Sequence, residues 1–291
     1  MTPHIKNGIL IMDKPESITS HDAVDIIRKI FSNTKVGHTG TLDPMATGVL
    51  PICIGKATKL SDTFTQKDKI YSVKMLLGVE TDTYDITGKI VFANPISNDE
   101  IYIKERIKRF IGKQMQIPPK YSAIKVNGKK AYEYARSGEE IRLKPREIEI
   151  FDIYNIEVNL EKREVSFDVY CTKGTYIRSL VHDIGIKLGC GATMTKLRRV
   201  KTGEFDIEDS VPLYEFLKLD FLDMQDRIIA IEDLFKDSKK VNLNKEEYER
   251  FLNGIKIKTE LNPGICRVYQ DLRYKGLGKV EDNMLSRFVI E

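Results

Sequence analysis

Only four cysteines and four histidines occur in this chain of 291 residues. Cys53, Cys171, Cys190 and Cys266 stand far apart with no C-x-x-C pair, and no two histidines have the spacing of a ligand pair. That pattern argues against a zinc site and against a disulfide framework, and the thiols read as reduced core residues. Long apolar runs are missing too: none approaches the ~20 residues that a membrane-spanning helix needs. The apolar core of the N-terminus, residues 8–12, is too short for a signal peptide, so the expected compartment is the cytoplasm. There is no internal repeat and no low-complexity tract.

What is present is the composition of a folded soluble protein, 41% hydrophobic and 31% charged, long enough for one large domain plus a small one, or two. The net charge is only +4, but it is unevenly spread. From Lys113 to Arg146 there are nine Lys/Arg against three Glu, an excess of six that exceeds the excess of the whole chain. Tyr121, Tyr132 and Tyr134 are interleaved with these charges. Cations that track phosphates beside rings that stack on bases suit a nucleic-acid surface. A solvated lysine-rich face has the same composition, and composition leaves both readings open.

Periodicity divides the chain into short elements. Residues 8–12 read as a strand ended by Asp13-Lys14-Pro15, and a helix follows with Thr19 and Asp22 at capping-box spacing and Val24, Ile27, Ile30 and Phe31 at helical period. Tyr71, Val73, Met75 and Leu77 alternate as in a strand with one buried face. Thr87-Gly88 offers a turn before a strand over 89–92, and Ile103, Ile107, Phe110 and Ile111 mark a second amphipathic helix. Pro118-Pro119, Asn127-Gly128 and Ser137-Gly138 punctuate the basic segment, which reads as an insertion made of a hairpin and a short helix. A strand returns at Val165, Phe167, Val169 and Cys171. Lys173-Gly174-Thr175 then leads into a helix with the stripe Ile177, Leu180, Val181, Ile184 and Leu188, stopped by Gly189. Mixed, helix-prone charges fill 209–240. Asn244 caps a short helix ending at Gly254, and short β-like runs complete the chain, with a boundary near residue 240.

The most informative stretch is 36–59, VGHTGTLDPMATGVLPICIGKATK, which places the carboxylate of Asp43 in a Gly/Thr-rich loop with no neighbouring charge. Pro44 biases Asp43 toward extended backbone, Gly37, Gly40 and Gly48 permit sharp turns, and the apolar run 49–54 reads as a buried strand holding the loop on a rigid edge. An Asp-Pro pair taken alone is a turn initiator. GHTGTLDPMATGVLP, however, resembles the catalytic loop of the TruB-type pseudouridine synthases, in which the aspartate of G-x-L-D-P is the nucleophile. The resemblance is strong from about residue 7 to 200 and fades afterwards.

Several residues take roles from that resemblance. CTKGTYIRSL is similar to the family motif whose arginine, here Arg178, pairs with the catalytic aspartate, here Asp43. On physical grounds Arg178 stands in the first turn of a helix, where the dipole disfavours a cation by roughly 0.3–1 kcal/mol; a surface arginine is the plainer reading. Tyr71 in KIYSV matches the tyrosine that stacks on the flipped uracil, and Leu197 in TKLRRV the apolar residue on its other side. Arg198 and Arg199 are candidate phosphate contacts. His38 resembles the wedge that fills the space left by the target base. Lys14 in LIMDKP matches a basic position near the active site, and Asp82 and Asp85 in GVETDTYDITGKIV read as structural turn carboxylates. PPKYSAIKVNGKKAYEYARSGEEI resembles the RNA-gripping insertion, with Lys129, Lys130 and Arg136 as candidates. KGLGKVEDNMLSRFV resembles the end of a PUA-type domain.

The implied fold class is α+β: the pseudouridine synthase catalytic fold, a mixed and largely antiparallel sheet with flanking helices, carrying a thumb-like insertion and a small C-terminal β-rich PUA-like domain. The implied domains are 1–239, with the insertion at about 113–147, and 240–291. The implied reaction isomerises a uridine to pseudouridine in the TΨC loop of tRNA, position 55, on a flipped-out base. No electrons are exchanged and no group is supplied, so it requires no cofactor and no metal. The expected partner is the TΨC stem-loop, with no membrane and no obligate protein partner; the family is typically monomeric. A guide-dependent synthase within a ribonucleoprotein and a tRNA-folding chaperone are the alternatives.

Overall fold

The computed structural model describes residues 5–291. The chain forms two compact units, one taking in the residues up to Pro44 with Leu50–Thr65 and Glu208–Glu291, the other Met45–Val49 and Gln66–Ile207.

In the first unit the apolar run near the start becomes the strand Gly8–Lys14, with Ile9, Leu10 and Met12 fully buried. It pairs in parallel with Val211–Pro212 and antiparallel with Ile228–Ala230. The helix Ser20–Ile30 begins where the spacing predicts: the Thr19 side chain accepts from Asp22 N, and the Asp22 carboxylate accepts from Thr19 N in return. Its apolar stripe, Ala23, Val24 and Ile27, is buried. The short strand Val36–His38 runs antiparallel to the end of the strand Thr47–Ile54, where Val36 faces Ile54 and His38 faces Ile52.

The same unit contains a five-stranded sheet drawn wholly from residue 240 onward, in the order Lys240–Asn242, Gly264–Gln270, Arg273–Glu281, Met284–Ile290, Ile257–Lys258. Its hairpins close on two-residue turns with positive φ, Asp271-Leu272 and Asp282-Asn283, whose twist matches that of the flanking strands. The helix Lys245–Leu252 starts at Asn244, which forms a capping box with Glu247. Leu243, Phe251, Cys266, Val268, Val280 and Leu285 give this sheet a core of its own.

The second unit is built on antiparallel strands in the order Ala192–Thr202, Lys69–Leu77, Glu164–Cys171, Arg146–Asn159, Gly112–Gln116. Thr47 and Gly48 extend it in parallel beside Arg198 and Arg199. The predicted alternation holds: Tyr71, Val73, Met75 and Leu77 are buried while Lys74 is exposed. The helix Glu100–Lys108 buries Ile103 and Ile107, but it stops at Arg109, so Phe110 and Ile111 lie beyond the stripe they were expected to extend. The basic segment folds as a hairpin, Lys125–Val126 with Lys129–Lys130, turning on Asn127-Gly128, and then the helix Ala131–Ser137. Among the described residues all four cysteines are buried and free, and no helix is long and apolar enough to cross a membrane.

The helix Ile177–Leu188 packs on the strand Ala192–Thr202 and ends at Gly189 in the left-handed conformation. Gly185 makes the close approach possible: a Cβ there would stand 2.2 Å from the backbone nitrogen of Ala192. Gly185→Ala is expected to lower stability by about 1–3 kcal/mol in urea denaturation, although alanine is the better helix former by about 1 kcal/mol.

Candidate active site

Asp43 lies half-buried in the loop between Val36–His38 and Thr47–Ile54. The backbone on both sides of it is tied down. The Ser20 hydroxyl donates to Leu42 O at 3.1 Å and accepts from Leu42 N at 2.8 Å. The Lys14 ammonium, fully buried, donates to Pro15 O at 2.7 Å, Ile18 O at 2.8 Å and Pro44 O at 3.3 Å. Pro44 O also accepts from Ser17 N at 2.9 Å, and Thr39 N donates to Pro51 O at 3.1 Å. Gly40 takes φ +116°, which a residue with a Cβ rarely adopts, and Leu42 and Ala46 on either side of Asp43 are buried. His38 is half-buried with its ring edge-on to His21 at 6.2 Å. Lys14, expected as a basic position at the site, is a buried strut of the loop and presents no surface to a ligand.

Tyr71, Leu197 and Arg199 share one face of two paired strands in the second unit. Tyr71 stands opposite Arg199 across the ladder and Leu197 opposite Val73. All three are nearly or fully buried. Arg199 Nε donates to Val49 O at 2.7 Å, and the guanidinium hydrogen-bonds the side chain of Tyr71. Burial draws the pKa of Arg199 down from the usual arginine range, and contact with Tyr71 opposes that shift. This corrects the expectation of Arg199 as a phosphate contact: at 1% exposure it braces Tyr71 from within. Arg198 alternates to the other face, half-exposed, and donates to Thr47 Oγ1 at 3.2 Å.

Arg178 is the second residue of its helix and only 5% exposed, so the surface-arginine reading fails. Its guanidinium donates to Thr83 O at 3.3 Å and Tyr121 O at 2.9 Å, and lies 3.7 Å from Asp85 Oδ2. A buried cation at a helix N-terminus faces both desolvation and the dipole, and carbonyls with a carboxylate offset both. Asp85 is itself buried and oriented. Its Oδ1 accepts from Thr83 Oγ1 at 2.8 Å, Thr87 N at 3.0 Å and Thr87 Oγ1 at 2.5 Å, which turns Oδ2 toward Arg178. The turn role read for Asp85 in the sequence holds, but its pairing with Arg178 was not legible, because 93 residues separate them. Asp82 accepts from Lys89 N at 2.8 Å and stays a turn residue.

In the basic insertion the cations and rings pair with one another. Lys129 lies 4.4 Å over the Tyr134 ring and 3.1 Å from Glu139. Tyr132 is flanked by Lys130 at 5.5 Å and Arg136 at 5.4 Å. These contacts tie the charges to the short helix Ala131–Ser137 and the residue that follows its cap. Among the described residues no cluster of three or more His, Cys, Asp or Glu is arranged to hold a metal ion.

Lys69, at the foot of the Tyr71 strand, is buried and donates to Lys67 O. Burial, and after it the charge of Arg199, draws its pKa down to about 8. The unfolded lysine, near 10.4, binds the proton that the folded one has lost between about pH 8 and 10, so stability rises with pH across that window. The denaturant midpoint is expected to climb over this range in the native protein, and the climb to be flatter in Lys69→Met.

Comparison with known proteins identifies the family of the chain. The family model described as "TruB family pseudouridylate synthase (N terminal domain)" matches residues 28–177, and that described as "tRNA pseudouridylate synthase B C-terminal domain" matches residues 178–235. The tRNA pseudouridine synthase B of Clostridium kluyveri is 45% identical, over 97% of this chain and 100% of that one. That of Clostridium acetobutylicum is 46% identical over 86% of this chain and 85% of the other. Among solved structures, an H/ACA RNP bound to a substrate RNA containing 2′-deoxyuridine matches with a TM-score of 0.69 and 26% identity, covering 99% of this chain and 86% of that chain. A Cbf5-Nop10-Gar1 complex matches with a TM-score of 0.67 and 27% identity, covering 99% and 84%. On this evidence the chain belongs to the TruB family of pseudouridylate synthases, and it is an isomerase.

Proposed function

We propose that the enzyme isomerises the TΨC-loop uridine of tRNA, position 55, to pseudouridine, with Asp43 as the covalent catalyst and without a cofactor. The observation that carries the reading is the pinned loop: Ser20 holds Leu42, and Lys14 with Ser17 holds Pro44, so the carboxylate between them is presented on a fixed backbone. The names of the relatives, tRNA pseudouridine synthase B, support tRNA as the substrate. A tRNA substrate in turn supports a cytoplasmic enzyme.

The reaction conserves atoms and electrons. The bond from uracil N1 to ribose C1′ breaks, the base turns over, and C5 bonds to C1′; C5 gives up a proton and N1 gains one. Nothing is oxidised or supplied, which is why side chains suffice. A carboxylate divides this hard exchange into two steps through a covalent intermediate. Arg178 pairs with Asp43 and keeps it ionised and oriented. The Tyr71 ring stacks on the extruded uracil, and Leu197 closes on its other side. His38 fills the gap left in the RNA stack, recovering part of the few kcal/mol that flipping costs.

Lys129, Lys130 and Arg136, with Arg198, meet RNA phosphates, while the buried Lys14 and Arg199 hold the framework. Residues 1–239 form the catalytic part with its insertion at 113–147, and 240–291 a short PUA-like RNA-binding part. The enzyme acts as a monomer with no obligate protein partner. RNA is read here through loop shape, phosphates and one splayed base.

Pseudouridine mapping on an unmodified tRNA transcript, with no guide RNA and no added cofactor, is expected to find one modified site in the TΨC loop. Asp43→Asn is expected to abolish it, and Arg178→Lys to fail as Arg178→Ala does, because a point charge cannot replace a forked donor. A transcript modified only when a guide RNA is added would favour the guide-dependent alternative. In a separate binding titration, replacing Lys129, Lys130 and Arg136 together by glutamine is expected to lower the salt slope of log K by about 2; an unchanged slope would remove the insertion from the RNA interface.

A further inference from the structure

Tyr84 stands between the two residues that hold Arg178. Thr83 offers its carbonyl to the guanidinium at 3.3 Å, and Asp85 its carboxylate at 3.7 Å. Tyr84 itself has φ +65°, a left-handed conformation that bulky residues rarely adopt. Without tertiary support such a residue relaxes to negative φ, and both neighbours turn with it. The support is the Tyr84 ring, stacked on His182 with centroids 3.9 Å apart and planes 13° from parallel. His182 follows Arg178 by one turn on the helix Ile177–Leu188, so the two side chains share a face. Its Nδ1 lies 3.3 Å from Glu80 Oε1, on the strand Val79–Thr81 that leads into the turn. From the other side the turn is fastened to the sheet: Met194 N donates to Tyr84 O at 3.1 Å and Ile86 N donates to Met194 O at 2.9 Å.

We propose that Tyr84 and His182 are positioning residues for Arg178. Their stack locks the turn 81–87 against the helix face, and so fixes the carbonyl and the carboxylate that aim the guanidinium. The inference rests on the role proposed above for Arg178. Neither ring meets the reacting base, and the ring of Tyr84 is needed rather than its hydroxyl. Burial, then Glu80 and Asp183, push the pKa of that hydroxyl up, which keeps it neutral.

The test is single-turnover pseudouridine formation and RNA affinity on an unmodified TΨC stem-loop transcript. The native enzyme is compared with Arg178→Ala, Tyr84→Ala, Tyr84→Phe, His182→Ala and the double alanine variant. Each single alanine is expected to slow the rate about tenfold while Kd stays within about twofold, since misplacement of a positioned group costs rate before affinity. Tyr84→Phe is expected to keep the native rate, and the double variant to be no slower than the slower single, because both changes remove one stack. His182→Ala leaves the turn's own sequence intact and serves where Tyr84→Ala misfolds. In the RNA-free protein, the Nε–H nitrogen-15 signal of Arg178, identified by its loss in Arg178→Lys, is expected to exchange faster with water in the alanine variants and not in Tyr84→Phe.

Native rates in the folded alanine variants, a loss seen in Kd alone, additive losses in the double variant, or a Tyr84→Phe as slow as Tyr84→Ala would each overturn the proposal. An inactive native enzyme, or an Arg178→Ala as fast as native, overturns the role of Arg178 instead. The Arg178 signal then still decides whether the stack holds the guanidinium.

Discussion

A guanidinium taken out of water cannot shed its proton, so the fold that buries Arg178 must bring it an anion and acceptors. Much of the second unit is arranged around this demand. The helix that carries Arg178 approaches its sheet at Gly185, where no side chain intervenes. The turn from Thr81 to Thr87 surrounds one oxygen of Asp85 with threonine donors and leaves the other for the guanidinium. The basic insertion begins beside it, with Tyr121 O as a further acceptor. A single buried charge thus ties together a helix, a turn and the root of the basic insertion.

The same device recurs in the first unit. Lys14 is a buried ammonium with its protons on three carbonyls, one of them that of Pro44. Lysine and arginine carry donors but no acceptors, so when buried they gather carbonyls from chain segments that secondary structure leaves unpaired. A loop has more such carbonyls than a strand or helix does. That makes a buried cation a suitable pin for a loop that is irregular and yet held still.

Much of the fold is legible in short stretches of the sequence. Thr19 and Asp22 marked a helix start, Tyr71 to Leu77 a one-faced strand and Gly189 a helix end, because these are local preferences written within a few residues. The helix with Ile103 is shorter than its apolar period: Phe110 and Ile111 fit that period, but the chain turns at Arg109. In the candidate site the motif residues were found by resemblance. Composition leaves open whether the insertion's tyrosines stack on bases, and the structure sets the rings of Tyr132 and Tyr134 against the insertion's own cations.

Taken by itself, the sequence determined the element types, the basic character of the insertion and the family, since period, turn residues and motif are all properties of short stretches. Tertiary structure alone decided which cations are buried as framework. Lys14 and Arg199 read in the sequence as polar residues free to reach a ligand, yet both are buried. It also decided that Asp85 faces Arg178, and that Tyr84 lies flat on His182. Burial and long-range pairing depend on which distant segments pack together, and no local pattern in the chain encodes that.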